Sequence, residues 1–166
     1  MSDAARILIV DDDEGIQKTF SEVLRDAGYV VDTARNGKDA VEKSNANFYN
    51  LALIDIRLPD MEGTKLLTAL KETTPKMVKI IVTGYPSLQN AVEAVNKGAD
   101  GYVIKPAQTE ELLKMVREHV QKQREAERYS ERKVEEYVET RFRKLEADEK
   151  QSSTKETGRP FFGWGK

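Results

Sequence analysis

The chain has 166 residues, with 27 basic and 29 acidic side chains, a net charge of −2 and no cysteine. These values exclude disulfides, thiolate chemistry and cysteine zinc sites, and they provide no overall positive field for nucleic acid or an anionic membrane. The first apolar run, residues 7–10, is too short for the core of a signal peptide, and no stretch approaches the roughly 18 apolar residues of a membrane span. We therefore expect a cytoplasmic protein with no membrane partner.

Short apolar runs alternate with helix-like segments up to about residue 106. The runs are rich in β-branched residues, which is typical of buried parallel strands, and the segments between them space their apolar residues as helices do. Gly28 and Gly98 mark helix ends, and Ser87 has the side chain of a helix N-cap. The alternation predicts an α/β domain with an open parallel sheet and right-handed crossovers. The predicted strands lie at residues 7–10, from 30 onward, 51–54, 80–82 and about 101–104.

From Thr109 onward the composition changes, because no glycine or proline occurs between Pro106 and Gly158 and charged residues are dense. Thr109 would cap a helix whose first turn is acidic, as the helix dipole favours. Apolar residues at helical spacing continue to about Asp148, which predicts one long last helix. The predicted organisation is a domain at 1–120, a helical extension of its last helix at 121–150 and a disordered tail at 151–166.

Several predicted strands end in a polar or charged residue, and the carboxyl ends of parallel strands meet at one edge of a sheet. Asp11 and Asp12 follow the first strand, Asp55 the third and Lys105 the fifth, while Thr83 ends the fourth. Carboxylates suit Mg²⁺, and a carboxylate such as Asp55 can also form an acyl phosphate. Lys105 and the metal would neutralise phosphoryl oxygens, and Thr83 would donate a hydrogen bond to them. The pattern predicts a phosphoryl-transfer site with Mg²⁺ or Mn²⁺ as cofactor.

Four motifs follow strand ends in order: Asp11-Asp12, Asp55-x-x-x-Pro59-x-x-x-Gly63, Thr83-Gly84 and Lys105-Pro106. Together they resemble the receiver domains of two-component response regulators over about residues 5–120. The resemblance implies a flavodoxin-like, doubly wound five-stranded sheet of order 2-1-3-4-5, followed here by an extended C-terminal helix. It also implies that Asp55 is the phosphoacceptor and that a histidine kinase is the donor.

The same resemblance implies roles for single residues at the site. Asp12, Asp55 and the backbone carbonyl of Arg57 would bind the metal directly, with Asp11 acting through water. Lys105 would contact the phosphoryl group, and the peptide bond between Lys105 and Pro106 would be cis. The side chains or backbone of three residues would flank the phosphoryl group, namely Arg57, Gly84 and Tyr85.

A conformational switch is also implied by the resemblance. The phosphoryl group would draw in Thr83, and Tyr102 on the fifth strand would turn inward. The surface made by the fourth helix, fifth strand and fifth helix would change in response and contact a partner. Tyr85 is expected to shield the acyl phosphate from water and slow its hydrolysis.

The extension at 121–150 has nine basic and nine acidic residues, a balance that argues against a nucleic-acid arm. Its apolar residues Val134, Val138, Phe142 and Leu145 are spaced close to 3.6 residues apart and form no sustained heptad. The helix is either merely solvated or a partner helix, which would bind a second copy of the chain or a different protein.

The sequence therefore favours a stand-alone response regulator, a phosphoprotein of phosphorelay signal transduction that is not an enzyme beyond its self-catalysed phosphorylation and dephosphorylation. One alternative is a transcription regulator that acts through its dimerised helical extension, although the chain shows no helix-turn-helix pattern or basic patch. Another is a phosphatase of the haloacid-dehalogenase type, because Asp11-x-Asp13 loosely resembles the nucleophile motif of that family. The Asp55-Pro59-Gly63 spacing favours the receiver.

Overall fold

The computed structural model describes residues 3–158, with side chains described as far as Ser152. The chain divides into two compact units, Met1–Arg124 and Glu125–Lys166, and the last helix supplies residues to both. Strands and helices alternate throughout the first unit. In chain order the elements are β1 (Arg6–Val10), α1 (Glu14–Asp26), β2 (Val30–Ala34), α2 (Gly37–Ala46), β3 (Leu51–Ile54), α3 (Gly63–Ala69), β4 (Val78–Thr83), α4 (Leu88–Asn96), β5 (Gly101–Ile104) and α5 (Thr109–Gly158).

The strands form one parallel five-stranded sheet in the order β2-β1-β3-β4-β5. At the carboxyl edge Val10 lies beside both Ala34 and Ile54, and Thr83 lies beside Ile104. The predicted flavodoxin-like, doubly wound architecture is confirmed. Because the strand ends are in register, the residues that follow β1, β3 and β5 meet at the same edge.

The core is divided between the two faces of this sheet. On one face Ile54 belongs to a cluster with Leu66 of α3, and on the other Leu53 belongs to a cluster with Leu24 of α1 and Val116 of α5. Successive strand residues point to opposite faces, so a strand covered on both sides is apolar throughout. This is the reason that the strands appear in the sequence as continuous apolar runs.

Polar side chains cap the first turns of α1 and α4. The carboxylate of Asp13 accepts the N–H of Ile16 at 3.1 Å, and the hydroxyl of Ser87 accepts the N–H of Asn90 at 3.1 Å. Gly28, with φ of 97°, follows the end of α1 in a conformation that few other residues adopt. Asp13 is therefore a helix cap, and only the first two residues of the acidic triplet remain at the sheet edge.

The last helix differs from its prediction at both ends. The N–H of Leu112 donates to the carbonyl of Gln108 at 3.0 Å, so Gln108, not Thr109, precedes the helix. The helix continues to Gly158, so residues 151–158 are helical and that part of the predicted disordered tail is corrected. Because no glycine or proline lies between Pro106 and Gly158, each further residue adds a hydrogen bond to an existing helix. Residues 159–166 lie outside the described residues.

A polar contact extends the first unit to Arg124, past the boundary predicted at residue 120. The side-chain amide of Gln123 donates to the carbonyls of Asn50 at 3.0 Å and Lys76 at 2.8 Å. Its oxygen accepts from the Asn50 side chain at 3.0 Å. Apolar periodicity does not reveal such a contact. Within residues 3–158, no helix has the length and apolar character that crossing a bilayer requires.

Candidate functional site

Two buried carboxylates at the ends of adjacent strands form the centre of the site. Asp11 follows β1 and is only 3% exposed, and Asp55 follows β3 and is 8% exposed. Their N–H groups continue the sheet ladder by donating to the carbonyls of Ala34 at 3.0 Å and Val10 at 2.9 Å. Asp12 is exposed, yet Asp11, Asp12 and Asp55 each place one carboxylate oxygen within 4.8 Å of the others. Such proximity of ionised groups is unfavourable unless a cation balances them.

Lys105 brings a positive charge into this cluster. It follows β5, its N–H donates to the Thr83 carbonyl at 2.8 Å, and the Lys105–Pro106 peptide bond is cis. Its Nζ lies 2.6 Å from Oδ2 of Asp11 and 3.4 Å from Oδ2 of Asp55. Burial alone would lower the pKa of Lys105, but the hydrogen bond and charge of Asp11, together with Asp55, outweigh it and raise that pKa. The ammonium group is therefore held in its charged form.

Asp55 lies in a negative environment that Lys105 only partly neutralises. Burial and then the charge of Asp11 raise the pKa of Asp55, against the opposing effects of Lys105 and the N–H of Arg57. That N–H is 3.4 Å from Oδ1 of Asp55. One ammonium facing three carboxylates leaves net negative charge on a set of oxygen donors. A hard divalent cation such as Mg²⁺ or Mn²⁺ fits this donor set.

The loop between β3 and α3 is held closely against the backbone of Asp55. A Cβ on Gly63 would lie 2.1 Å from the Asp55 carbonyl oxygen, so only glycine fits there. The N–H of Gly63 donates to the carbonyl of Ile56 at 2.6 Å. Farther along the loop, the carboxylate of Asp60 accepts the first two N–H groups of α2 at 2.8 and 2.9 Å, and these bonds lower the pKa of Asp60. The two contacts restrain the segment that contains Arg57.

The segment at the end of β4, from Thr83 to Tyr85, lies beside Lys105 and Arg57. Thr83 is fully buried, and its hydroxyl accepts the N–H of Tyr85 at 3.0 Å. A Cβ on Gly84 would lie 3.9 Å from the Lys105 side chain, so this residue passes close to the ammonium stem. The Tyr85 ring is exposed, and the guanidinium of Arg57 lies 3.9 Å from its centroid. Arg57 and Tyr85, both predicted to flank the phosphoryl group, thus contact each other.

Tyr102 lies on β5 beside Ile81 of β4. Its ring is partly buried and packs against the core cluster that contains Ile81 and Ala94. The hydroxyl group is buried and has no hydrogen-bond partner among the described residues. A buried hydroxyl without a partner is unfavourable by about 1–3 kcal/mol, which makes this ring a candidate for movement.

Two polar residues that support the site were not predicted. Gln17 of α1 donates from Nε2 to the carbonyl of Asp11 at 2.5 Å and to that of Ala34 at 3.2 Å. Its signal was available, because Gln17 shares helical spacing with the buried Phe20 and Leu24, and a polar side chain on a buried face needs a partner. Asp60, the second residue, carries no such pattern, since its partners lie on a distant helix.

Comparisons with known proteins agree with this geometry. The model of the response regulator receiver domain matches residues 7–117. A CheY-like receiver domain protein from Methanospirillum hungatei JF-1 is 44% identical with a TM-score of 0.71, over 74% of this chain and 98% of that one. A response regulator from Burkholderia pseudomallei, crystallised with a phosphorylated aspartic acid, calcium ion and citrate, is 31% identical with a TM-score of 0.60, over 66% of this chain and 64% of that one.

A curated relative shows the same domain within a longer protein. The transcriptional regulatory protein ZraR of Klebsiella oxytoca is 40% identical over 106 residues, which are 64% of this chain and 24% of ZraR. The present chain thus spans about a quarter of the length of that relative. The family match over residues 7–117, together with the sheet order and the strand-end site, shows that this chain belongs to the response regulator receiver domain family.

Proposed function

We propose that this receiver domain accepts a phosphoryl group from a histidine kinase on Asp55, in a reaction that requires Mg²⁺ or Mn²⁺, and then signals through protein contacts. The observation that carries the proposal is the Asp11, Asp12 and Asp55 cluster with the Lys105 ammonium contacting both buried carboxylates. The aspartyl phosphate is formed and hydrolysed at one site of one molecule. The protein is on this view a phosphoacceptor and not an enzyme with separate substrates.

In the proposed reaction a carboxylate oxygen of Asp55 attacks the phosphorus atom of a phosphohistidine. An O–P bond forms, the N–P bond breaks, and the imidazole leaves with the electron pair of that bond. Asp12, Asp55 and the Arg57 carbonyl would hold the metal directly and Asp11 would hold it through water. When bound, the ion supplies positive charge against the phosphoryl oxygens.

Residues of this chain would stabilise the phosphoryl group after transfer. Lys105 Nζ is already within 3.4 Å of Asp55 and would bind a phosphoryl oxygen. The hydroxyl of Thr83 accepts the N–H of Tyr85, which leaves its own proton for donation to a second oxygen. Gly84 would add its backbone N–H. The Arg57–Tyr85 stack supports shielding of the acyl phosphate from water by Tyr85.

The output surface that we propose consists of α4, β5 and α5. The phosphoryl group would draw in Thr83, and the inward-packed ring of Tyr102 would stabilise the resulting state. Large apolar side chains on this surface are between 49% and 82% exposed, which suits a protein partner. They are Leu88, Val92 and Val95 of α4 and Ile104 of β5.

Two variants identify the phosphoacceptor. After incubation with a small acyl-phosphate donor and Mg²⁺, the Asp55→Asn variant is expected to show no covalent phosphoryl adduct by mass spectrometry. The Asp13→Asn variant is the matched control, because asparagine retains the helix cap, and it should be phosphorylated as the parent chain is. An adduct on folded Asp55→Asn, or none on the parent chain, would contradict the proposal.

A transcription regulator that acts through its helical extension is the second candidate, and the match to ZraR favours it. Binding of the full chain to duplex DNA, measured against salt concentration, tests this candidate. A haloacid-dehalogenase-type phosphatase has less support, since the Asp13 carboxylate caps α1 and would not be free to act as an acid. The Asp11→Asn variant separates this reading from the receiver, because only loss of the nucleophile abolishes the adduct.

A further inference from the structure

An apolar stripe is exposed along the helical extension. Val134, Val138, Phe142 and Leu145 are between 43% and 63% exposed, and their spacing places them along one side of α5. A helix with charged residues elsewhere on its surface and large apolar side chains in one stripe is typical of a helix that packs against a partner. The charged side chains beside the stripe indicate which partner it fits.

These charges follow an eleven-residue repeat. The sequence Arg-Lys-Val-Glu at residues 132–135 recurs as Arg-Lys-Leu-Glu at residues 143–146. Eleven residues make very nearly three helical turns, so each residue of the second copy lies above its counterpart in the first. Lysines thus recur on one side of the stripe and glutamates on the other. An eleven-residue period also explains why the stripe forms no sustained heptad.

We propose that the stripe binds a second copy of this chain, with the two helices paired in parallel through residues 131–149. In a parallel pair related by two-fold symmetry, each flank of the stripe faces the opposite flank of the partner helix, so lysine meets glutamate on both sides. In an antiparallel pair each flank faces its own equivalent, so lysine meets lysine and glutamate meets glutamate. The repeat is therefore complementary to itself in one orientation only.

This inference rests on the proposed function only in that the receiver signals through protein contacts that include α5, and it does not depend on Asp55. All measurements described next use the full-length, unphosphorylated chain. Failure of Asp55 to accept a phosphoryl group would leave their outcome unchanged, and a monomeric extension would leave the phosphoacceptor experiment unchanged.

Single cysteines test the orientation, because the natural chain has none. Under mild oxidation, Val134→Cys and Leu145→Cys are each expected to form a disulfide-linked dimer with their own copy. Glu136→Cys is the control, since it lies two residues from Val134 on the side away from the stripe, and it should not cross-link above the background of random collisions. If the two variants cross-link only when mixed with each other, the pairing is antiparallel and the proposal is wrong.

Charge-swapped variants test the flanks. Glu135→Lys with Glu146→Lys makes both flanks basic, and Lys133→Glu with Lys144→Glu makes both acidic. In sedimentation equilibrium each double variant is expected to self-associate at least ten-fold more weakly than the parent chain, and an equal mixture should form a heterodimer. The proposal is overturned if the parent chain is monomeric up to hundreds of micromolar, forms a larger oligomer, or dimerises no better than the swapped variants.

Discussion

The tightest backbone contact at the site lies between Gly63 and Asp55, and the substitution Gly63→Ala tests its importance. The new Cβ would lie 2.1 Å from the carbonyl oxygen of Asp55 and 2.9 Å from its carbonyl carbon, whereas Cβ contacts under 3.0 Å essentially do not occur. Both atoms belong to the backbone and cannot rotate away. The loop or the end of β3 must therefore move by about 1.3 Å or more for this contact to reach an ordinary distance of 3.4 Å.

The expected magnitude follows from two opposing effects. Overpacking of this kind destabilises by about 1–3 kcal/mol and occasionally more. Replacing glycine with alanine also restricts the unfolded chain, which stabilises by about 0.4–1 kcal/mol. Because the obstructing atoms are backbone, we expect a net loss of about 2 kcal/mol and a fall in the thermal midpoint of about 5–10 °C. A 1 Å displacement of the Asp55 carboxylate would also slow phosphorylation by about a hundred-fold.

Thermal unfolding by circular dichroism and phosphorylation by an acyl-phosphate donor measure these two effects on the full chain. Gly101→Ala is the control, because its Cβ would lie 3.4 Å from Cγ1 of Ile80, which is an ordinary contact. That variant should retain both the midpoint and the rate. If Gly63→Ala unfolds at the parent temperature, the packing argument fails. If it is destabilised but phosphorylated at the parent rate, the loop does not position Asp55.

Three further substitutions have defined outcomes. Hydrogen bonds from the first N–H groups of α2 lower the pKa of Asp60 in the folded chain. The ionised carboxylate therefore stabilises the fold fully above the ordinary pKa of 3.8, and this stabilisation is lost as the pH falls through the lowered pKa. Denaturant titrations should thus show Asp60→Ala less stable than the parent chain at pH 7, with the difference closing in strong acid; a difference independent of pH would contradict this. Tyr85→Ala removes the ring on which Arg57 stacks and should shorten the lifetime of the aspartyl phosphate several-fold by mass spectrometry, whereas an unchanged lifetime rules out shielding. Burial lowers the pKa of Lys79 in the folded chain below the ordinary value of 10.5. Between these two pKa values the unfolded chain binds more protons than the folded chain, so the free energy of unfolding of the parent chain should rise with pH. Lys79→Met should lose that rise in denaturant titrations at pH 8 and 10, and equal slopes for both chains would count against the buried ammonium.

Much of the fold could be predicted because its signals are local. Apolar runs, helical spacing and residues such as Gly28 and Ser87 indicate where elements begin and end without reference to the rest of the chain. The carboxyl-edge site was also predictable in outline, since a parallel sheet gathers the residues after its strands at one edge. The strand order, in contrast, came from the resemblance to receiver domains and not from periodicity.

Three features of the structure differ from the prediction or go beyond it, each for its own physical reason. The first unit continues past residue 120 to Arg124, and Gln123 in this stretch is held by hydrogen bonds to Asn50 and Lys76 that no pattern along the helix reports. The helical state of residues 151–158 depends on propagation of an existing helix, whereas their polar composition alone suggested disorder. Gln17 lies among apolar residues at helical spacing, and this spacing predicts the buried face of α1 but not the partner of a polar residue on that face.

Local sequence patterns are enough to establish the alternation of strands and helices, the parallel sheet and the set of acidic, hydroxyl and ammonium groups at the strand ends. Periodicity and chain breakers act over a few residues, so this information is present in the order of the side chains. Two features appear only once the domain is folded: Lys105 lies closer to Asp11 (2.6 Å) than to Asp55 (3.4 Å), and the backbone at Gly63 leaves no room for a side chain. Those contacts join residues from different strands and loops, and their distances depend on how the whole domain packs.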